Sequence, residues 1–256
     1  MISLFRSTRR LLIKKKKIGR YLLYATGEIF LIVIGILIAL GINNWNQNRQ
    51  AREREKFYLE GLRSEFESSK IKLQNLMEVN RLNYEESKKI AKYLTTSEKL
   101  PPEEELSKAL YNSFSYEIDY NPNNSLLNEL INSGRLEDLS NEELRSHLTS
   151  WESFIQSIHR QEAALREQRE SVVRLFRNGN GSISSILDDA GVLEEIGLPA
   201  NPDTPGNLAI VRSPEFENNL LLFILTGINT ETSHYQPLLH EINSILDLID
   251  RELRDS

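Results

Sequence analysis

The sequence contains no cysteine, which excludes disulfide bonds and thiolate metal sites. A folded domain of this chain must therefore be stabilised by its hydrophobic core. Glycine and proline are also sparse, and five of the 12 glycines and three of the 8 prolines lie between residues 178 and 213. Because both residue types interrupt helices, their scarcity elsewhere favours a helical chain.

Motifs for catalysis and for cofactor binding are missing too. The sequence has no G-x-S-x-G element, no P-loop and no glycine-rich dinucleotide turn. None of the four histidines has the spacing of a zinc site, and the stretch from Asn178 to Asp189 carries Ile183 where a calcium loop requires glycine. We therefore expect no enzyme, with no catalytic residue, no metal and no cofactor.

One apolar run is long enough to cross a membrane. The segment from Leu22 to Ile42 has 21 residues and rises roughly 31 Å as a helix, which matches the hydrocarbon core of a bilayer. The next run, Leu220 to Leu225, is only six residues long and suits a buried core helix. The sequence predicts a single transmembrane helix over residues 21–45, with Tyr21 and Trp45 in the two headgroup layers.

The charges that flank the apolar run predict its orientation. Eight basic residues and no acidic residue precede it, and short basic flanks are retained in the cytoplasm. We expect a basic cytoplasmic head over residues 1–20, a bacterial inner-membrane location and a periplasmic domain over residues 46–256. A cleaved signal peptide is the alternative, with Ile29 to Leu40 as its apolar region and Ala39-Leu40-Gly41 as its cleavage site.

The charge is divided sharply along the chain. Removing the eight basic residues and one acidic residue of positions 1–45 from totals of 31 and 37 leaves 23 against 36, a net charge of −13 for residues 46–256. An acidic domain is a poor partner for nucleic acid, which needs concentrated positive charge. The basic head suits an anionic bilayer surface, where each Lys or Arg gains about 1 kcal/mol.

The chain from Trp45 to Leu94 has no proline and one glycine, and its apolar residues recur every three or four positions. This spacing predicts one long amphipathic helix that continues the transmembrane helix. Polar residues interrupt its apolar stripe, which leaves open whether part of the stripe faces solvent or a second copy instead of the core. The interrupting residues are Ser69, Asn80, Asn83 and Ser87.

Capping signals predict two shorter helices next. Pro101-Pro102 followed by three glutamates starts a helix that runs to about Phe114. Asn124 or Ser125 caps a third helix from Leu126 to Ser133, which Gly134 closes.

Two long helices are predicted in the second half of the chain. Ser140-Asn141-Glu142-Glu143 has the order of a capping box, and it precedes a helix over residues 141–177. Ser213 and Pro214 start a helix that runs to about Leu253, and we expect Pro237 to kink or break it near Tyr235.

Between these two helices, residues 178–213 form a predicted irregular excursion. It contains one apolar island, Ile183 to Leu198, which suits a short helix. The predicted fold is all-α, with one N-terminal transmembrane helix followed by an elongated periplasmic helical bundle.

Two blocks of sequence resemble a large uncharacterised group of single-pass proteins from Bacteroidota, known only as a domain of unknown function. The resemblance implies an inner-membrane protein, and it brings no activity, cofactor or catalytic residue. The first block comprises Tyr21–Ile29, Val33–Leu40 and Ile42–Asn46, and the second comprises Asn121–Ser125, Asn128–Leu130, Ser133-Gly134 and Leu139–Arg145.

Glu28 is the one carboxylate of the apolar segment, and intramembrane acids are functional candidates. It lies roughly 9 Å from the cytoplasmic edge, so it can be protonated, pair with Arg20 or Lys17, contact a partner subunit or couple to protons. Gly27, Gly35 and Ala39 are separated by eight and four positions, so their small side chains lie on one face of the helix, next to Glu28. A face of small residues permits close contact with another helix. The candidate intramembrane interaction residues are Glu28, Gly27, Gly35 and Ala39.

Three functions are compatible with these features. The first is a membrane-anchored periplasmic interaction or scaffold module that binds a protein partner or forms a homo-oligomer. The second is a sensor-like ligand-binding bundle that acts through a partner, and the third is an accessory, stator-like subunit of a proton-driven membrane complex. The sequence identifies neither the partner nor the ligand.

Overall fold

A computed structural model describes residues 18–95, 101–178, 181–201 and 203–255, with side chains from residue 23 onward. Within these ranges every element is helical and no strand occurs, which confirms the all-α class. The chain divides into two compact units, one that ends at Lys56 and one that begins at Phe57. Of the predicted cytoplasmic head, residues 1–17 lie outside the described residues.

Helix α1 runs from Ile18 to Thr95 without interruption, because no proline occurs in its 78 residues. The predicted long helix is thereby confirmed. Among the described residues, α1 is the one helix that is long and apolar enough to cross a membrane, and none of its apolar window is buried. A signal sequence near the N-terminus meets the same criteria of length and composition.

The second part of α1 buries a continuous stripe. Its buried positions follow one another at intervals of three and four residues, from Leu59 and Leu62 to Ser87 and Ile90. The expectation that polar residues break this stripe is wrong, because each of them is 1 % exposed or less. They occupy stripe positions and face the core, and they are Ser69, Asn80, Asn83 and Ser87.

The next three helices agree with the predicted bounds to within one residue. Gly134 has φ 69°, the left-handed conformation expected after the third helix. The predicted capping box is wrong in one respect, because Asn141 Oδ1 accepts the Leu144 N–H at 2.9 Å and Ser140 does not cap the helix. The helices are α2 (Glu103–Phe114), α3 (Ser125–Asn132) and α4 (Glu142–Asn178), with a 3-10 turn at Arg135–Asp138.

The excursion contains more helix than predicted. Its apolar island forms two short helices, and a third lies near its end, so α5 is Ile183–Asp189, α6 is Val192–Glu195 and α7 is Leu208–Val211. Ser213 Oγ then accepts the Phe216 N–H at 3.2 Å and caps α8, Pro214–Asn229. This cap confirms the predicted start of the last long helix.

Pro237 does not break the last helix. A π-helical segment, Thr230–Tyr235, joins α8 to α9, Gln236–Asp255, and the Gln236 N–H donates to the Glu231 carbonyl five residues back. Proline lacks an N–H and its ring collides with the carbonyl four residues back in an α-helix. The change of hydrogen-bond register just before Pro237 is the accommodation that its ring requires.

One hydrophobic core joins the helices of the unit from Phe57 to Ser256, apart from α6. Helix α4 contacts α8 and α9, and α2 contacts α5. Trp151 of α4 meets Phe66 of α1 edge to face with ring centroids 4.9 Å apart. Such an aromatic pair adds about 0.5–1.5 kcal/mol to the burial of the two rings.

Candidate functional site

The four candidate residues of the apolar segment lie on α1, and all four are exposed. A Cβ atom added to Gly27 or Gly35 meets no atom within 4 Å, so this small-residue face is open. The side chains of Arg20 and Lys17, suggested as partners of Glu28, lie outside the described residues. Helix contact through this face stays a prediction.

The polar groups that the structure does bring together begin at the N-terminus of α3. Glu65 of α1 accepts the backbone N–H groups of Leu126 and Leu127, at 2.6 and 3.2 Å. A carboxylate at a helix N-terminus satisfies unpaired donors and complements the helix dipole. Asn124, one of the two residues predicted as the cap, instead accepts the indole N–H of Trp151 at 3.0 Å.

The loop before α3 is bound to the next turns of α1. Ser69 Oγ accepts the Asn123 N–H at 2.9 Å, and Lys72 Nζ donates to the Asn121 carbonyl at 3.0 Å. Lys72 also donates to Asn123 Oδ1 at 2.6 Å. These hydrogen bonds hold Asn121 and Asn123 of the second shared block against α1.

Glu162 lies where this loop meets α4 and the π-helical segment. It is 2 % exposed, and its Oε1 accepts the Tyr120 N–H at 3.0 Å and the Tyr235 hydroxyl at 2.7 Å. Its Oε2 has no hydrogen-bond partner among the described residues. A void of about 10 Å³, near the volume needed for one water, is lined by Glu162, Asn83 and Arg169 among others.

Burial is the largest influence on this carboxyl group and raises the pKa of Glu162. The hydrogen bonds from Tyr235 and Tyr120 lower that pKa and offset part of the effect. Asp119 raises it further by charge repulsion, whereas His159 lowers it. The net direction is upward, so the site favours a protonated carboxyl group more than water does.

A second buried carboxylate, Glu231, lies in the π-helical segment. It is 4 % exposed, and it accepts hydrogen bonds from Tyr84 Oη at 2.9 Å and from Arg81 Nε at 3.2 Å. One turn away, Asn80 Nδ2 donates to the Gly227 carbonyl at 2.9 Å. A Cβ at Gly227 would lie 3.3 Å from Tyr84 Cβ, so the absence of a side chain permits this close approach.

The chemistry of this arrangement is proton binding and structural pairing. No group of three or more His, Asp or Glu side chains in the described ranges is placed to hold a metal ion. Two histidines serve as hydrogen-bond partners, since His147 Nδ1 lies 2.6 Å from Glu241 and His159 Nε2 lies 3.1 Å from the Tyr120 carbonyl oxygen. Both buried glutamates tie distant segments together.

Sequence reasoning missed Glu162 and Glu231. A signal for Glu162 was present, because it occupies a stripe position of α4 between Ile158 and Leu165, at intervals of four and three residues. If the apolar stripe of a helix is buried, a polar residue at a stripe position is buried with it. A buried polar group needs a hydrogen-bond partner. The sequence around Glu231 gives no such signal, because the π-helical segment changes the spacing at which residues share one helix face.

The profile of a family of unknown function, DUF6090, matches residues 28–166. The match covers more than half of the 256 residues, and the chain belongs to this family. The resemblance to a domain of unknown function is confirmed, while the bacterial group and the topology remain predictions. No curated protein and no solved structure matches the chain.

Proposed function

We propose that this member of the DUF6090 family is a single-pass inner-membrane protein without enzymatic activity. Its amino terminus lies in the cytoplasm, and its helical domain, in the periplasm, binds a protein partner or a second copy near the membrane. The supporting observation is the surface of α1, where every side chain from Thr26 to Ile42 is exposed. Burial in lipid stabilises such a surface by about 25 cal/mol per Å² of apolar area.

The core and the charge of the unit that begins at Phe57 also support this proposal. Its helices share one hydrophobic core, which stabilises this unit without lipid. The net charge of −13 for residues 46–256 favours solubility in an aqueous compartment. A membrane anchor followed by a water-soluble domain accounts for both surfaces.

Reporter fusions test the topology. Alkaline phosphatase fused after Ser256 should be active and green fluorescent protein at the same position should be dark, because the eight basic residues before the span hold the amino terminus inside. Replacing Lys14 to Lys17 by glutamate should reduce phosphatase activity at equal expression. An inactive phosphatase fusion, or a mature amino terminus near Ile42, contradicts the proposal.

Partner binding through the anchor is tested at Glu28. If a partner donates a hydrogen bond or a charge to this carboxylate inside the bilayer, Glu28→Gln should weaken association by about 1 kcal/mol or more. If the carboxylate is merely tolerated near the edge of the span, insertion and association should persist or improve. Copurification of crosslinked partners from membranes at matched expression distinguishes the two.

A steric pair of variants tests the small-residue face. Gly35→Leu fills that face, whereas Gly41→Leu adds the same side chain about a third of a turn away. Loss of crosslinked partner in Gly35→Leu alone supports contact through the face. Equal retention in both variants places the partner elsewhere, on the periplasmic domain.

A further inference from the structure

The excursion between α4 and α8 forms one wall of an apolar pocket. The pocket has a volume of about 360 Å³, within the range of small-molecule sites. This wall consists of α5 and the start of α6, and helix α2 and the C-terminal half of α4 form the other walls. The principal apolar residues that line it are Leu110, Phe114, Val173, Phe176, Ile186 and Leu187.

The wall formed by the excursion is fixed by Asn207, which is fully buried. Its Nδ2 donates to the Ser182 carbonyl at 3.0 Å, and its Oδ1 accepts the Ser182 N–H at 2.8 Å. The Asn207 N–H donates to Glu103 Oε1 at 2.6 Å, which joins the excursion to the start of α2. The pocket is therefore formed before any ligand arrives, which lowers the entropic cost of binding.

Arg169 supplies the one ionised side chain among the described residues that line the pocket. Its side chain is 14 % exposed and lies at a stripe position of α4, between Leu165 and Val172. Nε donates to the Phe114 carbonyl at 2.8 Å, and Nη1 donates to Glu170 at 2.8 Å. The guanidinium is thus held in place at the wall.

We propose that this pocket binds the alkyl chain of a fatty acid, with the carboxylate head beside Arg169. Apolar walls suit an alkyl chain, and a guanidinium suits a carboxylate by charge and by planar geometry. Glu170 and Glu117 already pair with Arg169 and offset its charge, so the choice of head group rests on the N–H donors of the guanidinium, and the apolar walls supply most of the affinity.

This inference gives a ligand class to the alternative of a ligand-binding bundle, and it does not depend on which side of the membrane the domain faces. The matched family segment ends at residue 166, so the pocket residues of α4, α5 and α6 lie beyond the match. The family profile therefore covers only the α2 wall of the pocket.

Photolabelling tests the inference on the full chain in lipid nanodiscs. A decanoic acid that carries a diazirine is added, irradiated and mapped by peptide mass spectrometry. Labels should fall on peptides of α2, the end of α4 and α5, and unlabelled decanoate should compete several-fold better than decyltrimethylammonium. Labels confined to the apolar part of α1 overturn the pocket assignment, and equal competition by the two amphiphiles overturns the role of Arg169.

Filling the pocket provides the matched variants. Val173→Trp and Leu187→Trp should each reduce labelling several-fold, while Leu222→Trp, at an exposed apolar position outside the pocket, should leave it unchanged. Leu187 is not part of the core cluster, so its substitution keeps the test valid if Val173→Trp unfolds the domain. Undiminished labelling in folded Leu187→Trp contradicts the proposal, whatever the reporter fusions show for topology.

Discussion

Glu162 and Glu231 are both buried in the helical domain, and each accepts a hydrogen bond from a tyrosine hydroxyl, at 2.7 and 2.9 Å. Their surroundings differ in charge. Glu231 is paired with Arg81, whereas Glu162 accepts hydrogen bonds only from the neutral Tyr235 hydroxyl and Tyr120 N–H among the described groups.

The difference follows from what a neighbouring helix offers at each place. The Arg81 side chain is 53 % exposed and extends from the surface of α1 to Glu231. Its guanidinium therefore pairs with a buried carboxylate while the side chain remains in contact with solvent. Among the described residues no cation donates a hydrogen bond to Glu162, and ionising it leaves a buried charge with one oxygen lacking a hydrogen bond. Burial alone therefore does not decide how costly a carboxylate is.

The largest effect is expected when the acceptor at Glu162 is removed. Glu162→Leu leaves the Tyr120 N–H and the Tyr235 hydroxyl buried without an acceptor, which should lower the free energy of unfolding by roughly 2–4 kcal/mol. Denaturant unfolding of the purified chain in detergent measures this change. A Trp45→Phe background leaves Trp151, which is buried against Phe66, as the sole tryptophan reporter.

Glu167→Leu is the control for this substitution, because Glu167 lies on the same helix but is exposed. It should change the unfolding free energy by about 0.5 kcal/mol or less. Equal losses in the two variants would show that the Glu162 hydrogen bonds contribute nothing specific.

A smaller loss is expected when Glu231 loses its cation. Arg81→Met keeps the apolar stem of the side chain but leaves the buried carboxylate with Tyr84 alone, and we expect a loss of about 1–2 kcal/mol because solvent screens the half-exposed arginine. Arg63→Met is the matched control on α1, since Arg63 pairs at 2.8 Å with Asp250, whose side chain is 40 % exposed. That pair should contribute about 0.5 kcal/mol or less. Similar losses in both variants would contradict the distinction between a buried and an exposed pair.

The smallest effect, and the most diagnostic, is the pH dependence of Glu162→Gln. Because the pKa of Glu162 is raised in the folded protein, the native state binds its proton more tightly than the unfolded state. The stability that Glu162 contributes is complete below the unfolded pKa of about 4.3 and is lost as pH rises through the higher folded pKa.

Glutamine retains the Oε1 acceptor without a charge, so the unfolding free energy of Glu162→Gln should not show this decline with pH. At neutral pH it should equal that of the wild type or exceed it by about 1 kcal/mol. Unfolding free energies measured across the acid to neutral range provide the comparison, with the exposed Glu167→Gln as control. Parallel curves for wild type and Glu162→Gln would refute the raised pKa as a source of pH dependence.

Much of the fold was predictable from residues close together in sequence. The turn at Gly134, the Ser213 cap and the stripe of α4 all depend on contacts within four residues, and the structure confirms each of them. The cap of α3 was not predictable in this way. Its acceptor is Glu65, which is 61 residues from Leu126, and the local candidate Asn124 is used by Trp151.

The sequence by itself determined the long helices and the one segment that is apolar on every side, because helical periodicity, capping and run length are local properties of the chain. Tertiary structure alone decided which polar residues lie inside. Glu162 finds its donors 42 and 73 residues away, and Glu231 finds its cation 150 residues away. Those pairings depend on which faces of distant helices meet in the core, and whether each buried charge is neutralised is fixed only when the helices pack.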